Sequence, residues 1–152
     1  MNLTLINILK HAHSGLRWVA LILLLLAIVN SLISRNYEKK HKMINLFAMI
    51  SLHTQLLIGL ILYFISPRVK FVEHWMSSKV DGGSFRFYNL EHISLMIIAI
   101  ILVTVGRKIA EKQTNDLDKH KKIRTWYTIA LVLIIAAIPW PFRQHLHVVS
   151  WF

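Results

Sequence analysis

Four apolar runs, each bordered by charged or turn-forming residues, limit what this chain can fold into. The first run, Trp18–Ile33, is about long enough to cross a bilayer as one helix. Hydrophobic residues make up 55% of the 152 residues, which is too many for a soluble domain of this length. We therefore predict a single transmembrane domain, 1–152, that folds as an all-α integral membrane four-helix up-and-down bundle. Its spans are expected at about residues 15–34, 43–65, 88–106 and 124–142, with an outer loop over 66–87.

The distribution of lysine and arginine predicts the orientation of these spans. Two short links carry most of the basic residues: residues 35–42 hold four and residues 107–124 hold seven. Cytoplasmic links are enriched in Lys and Arg, so both links are expected in the cytoplasm and both termini outside. The net charge of +11 is concentrated in these topology signals, so nucleic acid is not an expected partner. The predicted location is a bacterial inner membrane, with membrane lipid around the bundle.

Absent residue types narrow the chemistry. The chain has no cysteine, which excludes disulfides, iron–sulfur clusters and covalently attached c-type haem. The first apolar run has no small-residue cleavage site and is followed by basic residues, so no cleaved signal peptide is expected.

Histidines within the spans are the candidate functional residues. His13 lies at the outer end of the first span, His53 inside the second and His92 near the outer end of the third. Each could simply be a hydrogen-bonded packing residue, worth about 1 kcal/mol or less. Three of them in short apolar spans favour a bound metal or haem, because an imidazole in a membrane is costly without a partner. His41 and His120, in the lysine-rich links, are expected to be solvated.

The order of the spans predicts which histidines face each other. Spans one and three are diagonal in an up-and-down bundle, so His13 and His92 face one another across its core. We predict that they are the axial ligands of one haem b near the outer leaflet. His53 and Gln55 are expected to support this site, and His53–His92 is the reserve pairing. The possible propionate contacts are four arginines: Arg17, Arg68, Arg86 and Arg143.

Two other chemistries use the same residues. A zinc or copper site could draw on His13, His53, His92 and Glu91 if their depths converged. A proton relay could run through His53, Gln55 and Glu91.

Several segments carry a family resemblance. The segments are 13–18 (HSGLRW), 53–63, 91–107 and 138–142 (IPWPF). In them the chain resembles the short four-span bacterial membrane proteins described as cytochrome b-like. More distantly, it is similar to one half of the haem A synthase fold. His13, Gln55 with Gly59, and His92 stand where that family has a span-one His, a span-two Gln before Gly and a span-three His. The resemblance implies haem ligands on the first and third helices near the outer surface. The chain has one half only and lacks the outer-loop cysteine pair, so the resemblance implies haem b binding rather than haem A synthesis.

The predicted function is that of a membrane b-type cytochrome, an iron protein of electron transport. It would exchange electrons with quinol or a partner redox subunit of a respiratory chain, without independent catalysis. A homo-oligomer or a larger membrane complex is expected, because four short spans leave one side of the pocket open. The alternative is a non-redox accessory subunit whose polar residues serve helix packing.

Overall fold

The protein is a bundle of four long helices. The computed structural model describes residues 3–143 and residue 146, and no strand occurs among them. The helices are α1 (Leu3–Ile33), α2 (Lys39–Ile65), α3 (Asp81–Glu111) and α4 (Asp116–Ala137). The all-helical prediction is confirmed.

Capping groups and prolines determine where the helices begin and end. The Glu38 N–H donates to Nδ1 of His41 at 2.9 Å, and the Glu38 side chain in turn accepts from the His41 backbone, which caps α2. Asn115 caps α4 by accepting from the Leu117 N–H at 2.8 Å. Helix α4 ends at Ala137 rather than at 142, because Ile138 precedes a proline and is therefore extended.

The helices pack as an antiparallel ring. Helix α1 packs mainly on α2 and α4, and α3 packs mainly on the same two helices, so α1 and α3 are diagonal. His13 near the start of α1 lies against Gly59 near the end of α2, which shows that the two run antiparallel. One end of the bundle therefore holds the early turns of α1 and the late turns of α2. The other end holds the links 34–38 and 112–115.

Alanines recur in the core beside larger apolar side chains such as Leu24 and Tyr127, while many other large apolar side chains face outward. Buried alanines lie on all four helices: Ala20, Ala27, Ala48, Ala99, Ala110, Ala130 and Ala137. Exposed residues include Ile22, Leu25, Leu57, Phe64 and Ile101. Membrane helices associate through small residues, whereas a soluble protein hides its large apolar side chains. Large apolar side chains exposed along helices that are long enough to span a bilayer are typical of a membrane protein.

Three helices are long and apolar enough to cross a bilayer, and these are α1, α2 and α3. Helix α4 differs because its first nine residues include Asp116, Asp118 and four basic side chains. Its apolar part is thus shorter than the stretch of about 18 residues that marks a span on its own. Within the described residues, length and composition support three spans.

The link between α1 and α2 closes one end of the bundle through a buried histidine pair. His41 and His120 are each only 3% exposed, and their ring centroids are 5.0 Å apart. His120 Nε2 donates to the Asn36 carbonyl at 3.2 Å, and His41 Nε2 bonds the Ser34 hydroxyl at 3.1 Å. The prediction that both are solvated is wrong. Their lysine neighbours suggested exposure, but the link folds over both rings.

Candidate functional site

A cavity of about 390 Å³ lies at the end of the bundle opposite this link. Its walls are mostly apolar and come from α1, α2, α3 and the last turn of α4. The polar side chains in its lining include His13, Arg17, Gln55, Arg68, Tyr88 and His92. The cavity thus gathers residues that lie far apart in the sequence, from Asn7 to Pro139.

His13 and His92 face each other across this cavity. Their ring centroids are 6.3 Å apart and the ring planes are inclined at 65°. The Nδ1–H of His92 donates to the Ala137 carbonyl at 2.8 Å. A neutral imidazole that donates through Nδ1 keeps a lone pair on Nε2, so His92 has a nitrogen available as a ligand.

The polar atoms around His13 are incompletely satisfied. Gln55 Nε2 donates to the His13 carbonyl at 2.7 Å and thereby joins α1 to α2. Nδ1 of His13 and Oε1 of Gln55 are buried, and neither has a hydrogen-bond partner among the described residues. Buried polar atoms without partners are costly. The described residues thus leave two buried polar atoms whose partners must come from a water molecule or a ligand.

Gly59 allows the His13 ring to approach α2. A Cβ added at Gly59 would lie 3.1 Å from Cε1 and 3.7 Å from Nδ1 of His13. The first distance is shorter than an ordinary carbon–carbon contact. Only glycine at this position leaves the ring where it is.

A π-helical turn, Phe87–Glu91, places His92 at the start of the regular part of α3. Asn89 within it is buried and bonds both backbone groups of Lys70, accepting at 3.2 Å and donating at 2.7 Å. Tyr63 donates to the Asn89 carbonyl at 3.0 Å. Such turns are frequent at functional sites. The loop and α2 together hold this turn, and with it His92, in position.

Two of the four predicted arginines line the cavity. Arg17 Nη2 donates to the Ser14 hydroxyl at 3.1 Å, and Arg68 Nη1 donates to the Tyr88 hydroxyl at 2.7 Å.

The other two arginines lie outside the cavity lining. Arg86 pairs with Glu91 at 2.6 Å, and Arg143 lies 5.7 Å from the ring centroid of Phe87. Of the four predicted arginines, Arg17 and Arg68 are therefore placed to meet an anionic group in the cavity, which Lys10 also lines.

His53 lies apart from this site. It is exposed, and it lines a groove between α2 and α3 rather than the cavity. Among residues 3–143 and 146, no group of three or more His, Asp or Glu side chains could hold a metal ion. The zinc or copper cluster of His13, His53, His92 and Glu91 is therefore not assembled.

Several cavity residues were not predicted from the sequence. They are Lys10, His11, Tyr63 and Tyr88, and with them Asn89, which supports the site from the π turn. Lys10 and His11 precede the first span, and Tyr63, Tyr88 and Asn89 lie at the edges of the second and third. Polarity at a span edge was their one signal, and it is weak because Tyr also occurs there simply as an interface anchor.

Comparison of the chain with protein-family models, with curated proteins and with solved structures gave no significant match.

Proposed function

We propose that this protein is a four-span b-type cytochrome of a bacterial inner membrane, with His13 and His92 as the axial ligands of one haem b. In this proposal the haem lies near the outer leaflet and exchanges electrons with quinol or with a partner redox subunit. The observation that carries the proposal is the separation of 6.3 Å between the two imidazole centroids.

This separation suits two imidazoles on opposite sides of one metal ion. With metal–nitrogen bonds of about 2 Å, and about 1.1 Å from each nitrogen to its ring centroid, the centroids lie about 6 Å apart. The two rings come from diagonal helices, so they approach the core from opposite sides. With iron ligated, the imidazole lone pairs would no longer face an apolar interior unpaired.

The surrounding residues support the same proposal. The Ala137 carbonyl orients His92 by accepting from Nδ1, as carbonyls and carboxylates commonly do for metal-ligating histidines. Arg17 and Arg68 would neutralise the haem propionates, and the apolar walls would exclude water and so influence the redox potential. A bound haem supplies one-electron redox chemistry; the protein binds it, orients it and sets its environment.

The outer surface of α4 supports a fourth span. Ile129, Val132 and Ile135 are exposed on its second half, as lipid-facing residues are on the other helices. Packing against α1 and α3 brings this half beside two helices long enough to cross the membrane. The basic links at the opposite end from the cavity favour both termini outside.

The test is the absorption spectrum of the purified protein and its histidine variants. We expect His13→Ala and His92→Ala each to abolish the low-spin haem spectrum while the helical circular dichroism is retained. His53→Ala should keep bound haem, because His53 lies outside the cavity. The matched control is His74→Ala, since His74 is exposed in the outer loop.

Two results would overturn the proposal. One is a low-spin spectrum that survives in a folded His13→Ala or His92→Ala variant. The other is a wild-type protein without haem after expression with ample haem, which would favour the accessory-subunit function.

A further inference from the structure

The second feature of interest is His53, an exposed polar residue near the middle of α2. Its neighbours are mostly apolar. The groove that it lines between α2 and α3 has a volume of about 360 Å³ and is otherwise formed by Thr104 and five aliphatic residues, Leu56, Ile97, Ile100, Ile101 and Val105. Because α2 is long and apolar enough to span the membrane, its middle lies in the hydrocarbon region. His53 thus faces lipid at a depth where water is scarce.

The hydrogen bonding of His53 leaves one acceptor available. Its Nδ1–H donates to the Met49 carbonyl at 2.9 Å, so the lone pair of the neutral ring lies on Nε2. Lipid chains offer no donor to this nitrogen, and ionisable residues in spans are rare unless they serve a function. The groove therefore needs an occupant that is soluble in lipid and carries a hydrogen-bond donor.

The shape of the groove favours a small ring over a second helix. Its lining residues include one small side chain, Thr104, and no Gly, Ala or Ser, whereas membrane helices pack closely through several small residues. Large aliphatic side chains instead form the walls of a concave slot. A flat head group attached to an apolar tail suits such a slot.

Two side chains separate the groove from the larger cavity. Leu56 and Ile100 line both, so a molecule in the groove is one layer of side chains from the cavity that contains His13 and His92. We propose that the groove binds the head group of a membrane quinol, one hydroxyl of which donates a hydrogen bond to Nε2 of His53. The proposal rests on the proposed function for the use of the bound quinol as an electron donor, but binding itself needs no haem.

The proposal predicts a preference for the reduced form. A quinol hydroxyl donates to Nε2, whereas a quinone carbonyl is an acceptor and cannot bond a lone pair. We expect decylubiquinol to bind saturably to the full-length protein in lipid nanodiscs under anaerobic conditions. Decylubiquinone should bind about fivefold more weakly, which corresponds to a hydrogen bond of about 1 kcal/mol.

Variants distinguish this site from partition into lipid. His53→Leu should weaken decylubiquinol binding about fivefold and remove the preference over the quinone. His53→Gln keeps an acceptor oxygen and should keep part of the preference. Ile101→Trp fills the groove and should abolish saturable binding. The matched control is Leu57→Trp, an equally bulky change at an exposed α2 position outside the groove lining, which should bind as wild type does.

Three results would overturn the inference: no saturable quinol binding by the folded wild type, equal affinities in wild type and His53→Leu, or a dimer that depends on His53 and binds no quinol. Haem spectra of the same samples keep the two proposals separate. A haem-loaded protein without saturable quinol binding refutes only the quinol site. Quinol binding by a protein that never takes up haem refutes only the cytochrome.

Discussion

An added methyl group at Gly106 should force α3 and α4 apart. A Cβ at this position would lie 2.7 Å from Cγ of Trp126 and would also overlap the Cβ of that residue. The Trp126 Cβ is fixed to the backbone, so no rotamer change of the indole relieves the overlap. The two helices must therefore separate along the most extensive helix–helix interface of the bundle.

The cost follows from two opposing effects. Overpacking a well-packed interface costs about 1–3 kcal/mol, and a contact that only backbone movement relieves belongs at the upper end of this range. Replacing a helical glycine by alanine stabilises the helix by about 1 kcal/mol, because alanine has the higher helix propensity. We therefore expect Gly106→Ala to lower the free energy of unfolding by about 2 kcal/mol.

Gly15→Ala is the matched control. Gly15 also lies within a long helix, and a Cβ there meets no atom within 4 Å. Gly15→Ala should raise the free energy of unfolding by up to about 1 kcal/mol, so the two alanine variants should differ in stability by about 3 kcal/mol.

Unfolding in detergent, followed by helical circular dichroism, measures this difference. At roughly 2–4 °C per kcal/mol for a chain of this size, Gly106→Ala should melt roughly 4–8 °C below wild type. A Trp126→Ala background should remove most of the penalty. If Gly106→Ala were as stable as Gly15→Ala, the described contact between α3 and α4 would be refuted.

Three further predictions concern the site, the pH dependence and the orientation. Gly59→Ala should displace the His13 imidazole by a few tenths of an ångström. We expect this variant to have an altered haem content or redox potential and unchanged helicity. Unaltered haem spectra would contradict the close approach of His13 to Gly59. Hydrogen bonds, first from Lys119 and then from a backbone N–H, hold the pKa of Asp116 below its usual value. The stability that this carboxylate contributes is therefore complete above about pH 4 and is lost as the pH falls through the lowered pKa. In Asp116→Asn the free energy of unfolding should therefore depend less on pH in the acid range. An unchanged pH dependence would count against the hydrogen bond between Lys119 and Asp116. A cysteine in place of Ser78 should react with membrane-impermeant reagents, and one in place of Lys40 should not. The opposite pattern would show that the spans have the opposite orientation in the membrane.

The proximity of His13 and His92 could be predicted because it depends on topology. Consecutive helices joined by short links are neighbours, so alternate helices are diagonal and residues at matching ends meet. The two prolines also predicted that α4 stops in this region, but the predicted span ran to residue 142 and the helix ends at Ala137, before Pro139.

The face on which His53 lies could not be predicted. Its helix is apolar around much of its circumference, so hydrophobic periodicity does not separate the core side from the lipid side. The π turn before His92 could not be predicted either, because the same residue types form π and α turns. Its anchor, the pair of bonds between Asn89 and Lys70, depends on how the loop folds back.

The absorption spectrum of the purified wild-type protein, oxidised and then reduced, tests the central claim most directly. We expect one haem b per chain, low-spin in both states, because two imidazoles with ring centroids 6.3 Å apart would ligate the iron from opposite sides. A protein that is folded, expressed with ample haem and colourless would contradict it.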